Sequence, residues 1–183
     1  MRRLPKIPPD ALNPSQKALY EAITGGPRAD GPRLFALTDE AGALEGPFNA
    51  MLLSPALGEP VQALGAAIRY RSALSVEARE VAILVVAQVW DSGFERYAHE
   101  AVARSAGLDE ATVTAIREGA VPRAHQLVAT TAKALAGSGD LDDEQYQAAR
   151  DGLGERGLFE LMTLVGYYAT LALQLRVFRI DPP

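Results

Sequence analysis

The chain has 183 residues, 48% of them apolar and 22% charged, with a formal net charge of −5 and an isoelectric point near 5.1. That length suits one globular domain spanning residues 1–183, and the acidic balance leaves no dense basic surface for nucleic-acid phosphates. There is no cysteine, which excludes disulfides, thiolate metal sites and dithiol redox chemistry run from this chain, and agrees with a cytoplasmic setting.

Residues 1–13 are proline-rich and read as an extended segment wrapping the surface. They lack the apolar run of a secretory signal, and Arg2, Arg3 and Lys6 read as a small solvated cluster. Asn13 and Pro14 supply the cap and first turn of a helix to about Thr24, stopped by Gly25-Gly26-Pro27. From 28 to 46 the glycine, proline and aspartate content indicates loop, with room for a short hairpin in which Leu34-Phe35-Ala36-Leu37 returns through Ala43-Leu44.

Downstream the pattern is helical throughout. Gly46-Pro47-Phe48-Asn49 opens a short helix that ends before Ser54-Pro55, and residues 59–70 form the next, with Pro60 in its first turn. Ser75 caps a helix reaching Trp90. Its residues 82–87 are apolar on every side, which puts this element at the centre of the core. Asp91-Ser92-Gly93 breaks it, and a helix over 94–105 follows, closed by Gly107. Asp109 starts a short helix ending near Gly119. Residues 123–136 make another, ended by Gly137-Ser138-Gly139, and Asp142 with Gln145 forms a capping-box signature for the one after. The last helix, 158–178, is long and mostly apolar. Gln88 and Gly166 interrupt the longest apolar runs, so these read as core helices and not as membrane spans. The expected class is all-α.

Chemistry concentrates between Glu80 and His99. Glu95 and His99 stand one helical turn apart and share a face, while Glu80 sits near the start of the preceding apolar helix. A carboxylate and an imidazole together in an apolar surround are the ingredients of a proton relay. Each has a plainer reading. Ser92 and Glu95 match a capping box, in which the glutamate only satisfies a backbone N–H, and Glu80 lies where acidic residues favour the helix dipole. The other histidine, His125, has no carboxylate near in sequence and reads as structural. Metal-ligand spacing is poor around Glu95 and His99, and neither a phosphate loop nor a nucleophile elbow is present. Arg69 and Arg71 precede the central helix and suit a carboxylate-bearing substrate or surface ion pairs. Tyr167 and Tyr168 interrupt the last helix, as pocket walls or as hydrogen-bonded core phenols.

These residues resemble the carboxymuconolactone decarboxylase family, which includes alkylhydroperoxidase D. The family pattern is a glutamate opening an apolar helix, then Cys-x-x-Cys or a variant ending in Glu, then a histidine four residues on. Here those positions read Glu80, Ser92, Glu95 and His99 with every spacing kept. Ala103-x-x-Ala106-Gly107-Leu108, Gly46-Pro47-Phe48-Asn49 and Gly166-Tyr167-Tyr168 extend the likeness over residues 19–178. Both redox cysteines are missing, and a serine and a carboxylate cannot cycle through a disulfide, so the likeness is to the decarboxylase-type branch. It implies an alkylhydroperoxidase D-like helical bundle and a homo-oligomer, trimer or hexamer. It further implies a lyase or isomerase without a cofactor, acting on a small carboxylated lactone or related acid.

In that reading His99, Glu80 and Glu95 are catalytic, with Ser92, Arg69, Arg71, Asn49 and Tyr167 around the substrate. Alternatives are a hydratase or dehydratase on the same scaffold, or an oligomeric small-molecule-binding protein without activity. An antiparallel return does not by itself set His99 beside Glu80. The pair is therefore expected to be bridged by one water, with a neighbouring subunit closing the pocket.

Overall fold

The computed structural model describes residues 2–26 and 34–183; Pro27 and the part of the expected loop at 28–33 lie outside the described residues. The elements in order are α1 (Pro14–Thr24), α2 (Pro47–Met51), α3 (Pro55–Arg71), α4 (Val76–Val89), α5 (Gly93–Ser105), α6 (Glu110–Arg117), α7 (Gln126–Ser138) and α8 (Asp143–Phe178), with short 3-10 turns at Pro9–Ala11 and Arg123–His125. The class is all-α, as expected. The anticipated hairpin reduces to one antiparallel bridge between Thr38 and Leu44. Asp39 makes the reversal compact by accepting from the amides of Ala41 and Ala43, which ends pairing after a single step.

Local chemistry explains most boundaries. Asn13 accepts from the Gln16 amide while Gln16 reaches back to the Asn13 N–H, and Asp142 and Gln145 do the same at α8. These are reciprocal caps of the kind the sequence signals. α3 starts four residues earlier than expected, because Pro55 takes the first turn and Pro60 falls inside the helix. Both Pro60 and Ala56, whose carbonyl loses its donor, are exposed, so water satisfies the carbonyl. The two expected C-terminal helices are both present: the span α8 holds two helices that meet at Gly154, whose φ of 70° and ψ of 167° break the helical geometry.

α4 is the centre. Residues 80–87 are buried without interruption, and α5, α6, α7 and α8 all pack against this helix. α8 is long and apolar enough to cross a membrane by length and composition, but half of its most apolar window is packed inside the protein.

The N-terminal segment departs from a solvated tail. Lys6 pairs with Asp39 and with the buried Glu45, and Leu4 joins a small core with Ala50, Phe94, Ala98, Leu175 and Ile180. Asn49 holds the segment through its side chain, accepting from the Ile7 amide and donating to the Pro5 carbonyl, each at 3.1 Å. The strap therefore backs the same face of α5 that carries the site.

Candidate active site

His99 and Glu80 meet directly. His99 Nδ1–H donates to Glu80 Oε2 at 2.8 Å, with both side chains buried. The expected bridging water is thus corrected. The reason lies in the helix rise: Glu80 sits about 15 Å along α4 from Trp90, and His99 about 10 Å along α5 from Ser92. The offset is one turn, which a glutamate side chain and an imidazole span unaided. The bond fixes the ring and leaves Nε2 for the pocket.

The anticipated capping box at α5 does not form. Ser92 makes no side-chain cap, and its Oγ and both carboxylate oxygens of Glu95 are buried without a hydrogen-bond partner among the described residues. Glu95 instead joins the buried face of α5 with Ala98, His99 and Val102, at the spacing of one helical stripe. Burial pushes its carboxyl up from 4.5 to about 8, and the nearby Ser92 hydroxyl offsets part of that rise. Glu95 is therefore mainly protonated at neutral pH, a buried acid with a proton to give.

Glu95 and His99 open onto one pocket, walled by Phe35, Phe48, Phe94, Tyr167, Tyr168 and Leu171 and edged by Arg69. Its volume is about 40 Å³ as traced by the centre of a water-sized sphere. That holds a few waters, so a ring-sized occupant needs the aromatic walls to move. Tyr168 stands edge-on to His99 and to Tyr167, each with ring centroids 5.1 Å apart and planes at 89°. Burial first, then the charges of Tyr167, Glu80 and Glu95, hold the Tyr168 phenol well above its ordinary range, while Arg69 works the other way. Tyr168 is thus a neutral phenol in the pocket wall.

The residues expected around a substrate divide. Arg69 and Tyr167 line this pocket. Arg71 faces a separate groove with Phe159 and Glu160, because two positions along a helix turn the side chain to another face. Asn49 is committed to the N-terminal strap, and Ser92 lines a different cavity beside α8. His125 lies in the turn before α7. The aromatic walls Phe35, Phe48 and Phe94 were not singled out from sequence as pocket residues, and nothing local distinguishes them from core. Tyr168 carried a signal, a second phenol inside an apolar helix.

No protein-family profile matches the sequence, and no curated protein matches it. Solved structures do. One is an alkylhydroperoxidase AhpD core, an uncharacterised peroxidase-related protein from Ralstonia eutropha JMP134. It has a TM-score of 0.76 and 13% identity over 100% of this chain and 92% of its own. Another is the debrominase Bmp8 with a cysteine-to-alanine substitution, in complex with 2,3,4-tribromopyrrole. It has a TM-score of 0.70 and 14% identity over 93% of this chain and 86% of its own. Through its helices and their order, this chain has the alkylhydroperoxidase D-like all-α fold.

Proposed function

We propose that this protein is a cysteine-free, decarboxylase-type member of the carboxymuconolactone decarboxylase family. It acts as a cofactor-free lyase or isomerase on a small carboxylated lactone or related acid. The observation that carries this reading is the pairing, in one apolar pocket, of the buried Glu95 carboxyl with an imidazole held by Glu80. An acid and an oriented base on one face of α5 can remove a proton at one carbon and deliver one at another.

Arg69 at the pocket edge supports a substrate carrying a carboxylate. In decarboxylation the bond from the ring carbon to the carboxylate breaks, and its electron pair moves into the conjugated lactone carbonyl. Glu95 or the imidazolium of His99 then protonates the resulting carbanionic carbon, and water restores the acid. In isomerisation His99 Nε2 takes the first proton and Glu95 gives the second. The ligand of the debrominase neighbour is a five-membered ring, which supports that size class for the pocket.

A stripe on α8 supports a homo-oligomer. Phe159, Met162, Leu173 and Val177 are exposed at helical spacing, with exposed Gly166 and Thr170 between them, and such a charge-free face is suited to a second copy.

The experiment is a screen of carboxylated lactones and unsaturated acids in D2O, read by carbon dioxide release, mass and deuterium position. Carbon dioxide with one solvent deuteron identifies the lyase, and deuterium without mass loss the isomerase. Loss of water identifies a dehydratase. Saturable binding with no product in any arm refutes the enzyme reading.

A further inference from the structure

Gly166 stands in the middle of the second α8 helix, where glycine weakens the element relative to alanine. It is exposed, its φ is not positive, and a Cβ added there meets nothing within 4 Å. Neither its backbone conformation nor a neighbour inside this fold requires glycine. What glycine still offers is room for another backbone to come close.

The exposed stripe around it has a symmetry of its own. Phe159, Met162, Gly166, Thr170, Leu173 and Val177 follow one another at steps of three and four residues, the spacing of a seam between paired helices. Read inward from either end, the stripe runs bulky, bulky, small: Phe159, Met162, Gly166 from one side and Val177, Leu173, Thr170 from the other. Its centre falls at position 168. No charged residue stands between Glu160 and Arg176. The flanks differ in sign. Residues 155–160 hold two acids and one base, Glu155, Glu160 and Arg156, with Arg156 already paired to Glu160 at 2.8 Å. Residues 176–181 hold two bases and one acid, Arg176, Arg179 and Asp181.

We propose that two copies of this chain pair antiparallel through α8, about a twofold axis at position 168, with Gly166 of each copy against Thr170 of the other. The pairing rests on the homo-oligomer proposed above and not on the chemistry given to Glu95 and His99. Antiparallel, the helices bring Phe159 opposite Val177 and the acidic flank of each opposite the basic flank of the other. Parallel, they would set Phe159 on Phe159 and like charge on like at both ends, which is repulsive. A twofold contact must be self-complementary, and the same order of sizes from both ends meets that condition. The small central pair lets the backbones cross closely, while the bulky residues close a seam about 27 Å long. At each end the groove between α3 and α8, walled by Leu64, Arg71 and Phe159, opens beside the seam and extends the contact beyond one helix. A lipid surface would also cover an apolar stripe, but it gains nothing from a central glycine or from flanks of opposite sign. A twofold contact closes on two copies, so the assembly holds an even number of chains, as a dimer or as trimers joined into a hexamer.

The chain has no cysteine, so introduced thiols report alone. Met162→Cys and Leu173→Cys, one on each side of position 168, are co-expressed with a size tag on one and mildly oxidised. The disulfide should join tagged to untagged chains in excess over either self-linked dimer. Gly166→Leu should keep its helicity, since its side chain starts in open space, and should weaken association roughly tenfold or more in concentration-dependent sedimentation. Self-linked dimers in excess overturn the antiparallel order while the homo-oligomer stands. So does an odd number of chains in the parent, and undiminished association in Gly166→Leu overturns the close crossing. A monomeric parent removes the homo-oligomer as well, and its flotation with phosphatidylcholine vesicles would give the stripe to lipid.

Discussion

Glu95→Gln should make the protein more stable, by an amount that depends on pH in a defined way. The carboxyl goes from 4.5 in its ordinary state to about 8 in the fold, chiefly through burial. Between those values the unfolded chain has released the proton and the folded chain still holds it. The folded state then binds more protons, so stability falls as pH rises. At about 1.4 kcal/mol for each pH unit, the penalty is absent below pH 4.5. It reaches roughly 3 kcal/mol at neutral pH and levels off near 5 kcal/mol above the folded value.

Glutamine matches the protonated carboxyl in shape and has no charge to bury. It should therefore keep the acid-pH stability of the parent and lose the slope. Urea denaturation at a series of pH values, extrapolated to water, gives both curves. They should coincide near pH 4.5 and diverge steadily toward pH 8, with the variant above. Parallel curves would mean that Glu95 is ionised or solvated in the fold, and the acid role would fall with them. The same variant should lose about a hundredfold to ten-thousandfold in turnover, so that stability and activity move in opposite directions.

Other expectations follow from single contacts. His99→Asn should keep the fold by circular dichroism and cut turnover by about a hundredfold or more; unchanged turnover would remove the imidazole from the mechanism. Gly46→Ala should cost about 1–3 kcal/mol, read as a lower melting temperature, because φ is 58° there and an added Cβ runs into the Phe94 ring. With no thiol to cycle, the purified chain should be insensitive to thiol-alkylating agents and should not turn over peroxide with dithiols; robust peroxide turnover would overturn the branch assignment. Phe159→Glu or Leu173→Glu should lower the mass seen in sedimentation while leaving helicity unchanged, and an unaltered mass would clear the α8 stripe of a role in assembly.

Much of the fold was legible because its signals are local. Asn13 with Gln16 and Asp142 with Gln145 close as reciprocal caps. The all-apolar run of α4 is buried where such a run must be. What stayed hidden depends on residues far apart in the chain. Lys6 meeting Glu45, and Asn49 meeting Pro5 and Ile7, leave no mark in any short window. Arg69 and Arg71 could have been separated beforehand, since helical residues two apart do not share a face.

The most instructive misreading is Ser92-x-x-Glu95. The pattern is that of a cap, and a cap would hold Glu95 ionised at the end of α5, engaged by a backbone N–H. A competing signal was present: Glu95, Ala98, His99 and Val102 recur at the three- and four-residue steps of one buried stripe. The strap through Leu4 and the packing of Phe94 and Ala98 turn that stripe inward, so tertiary burial overrides the local preference. The two outcomes differ in chemistry as well as geometry. A capping carboxylate accepts hydrogen bonds and has no proton to deliver, whereas a buried, partnerless one keeps its proton at neutral pH. The unsatisfied Ser92 and Glu95 are thus a local cost to the fold and the source of the acid that the proposed chemistry uses.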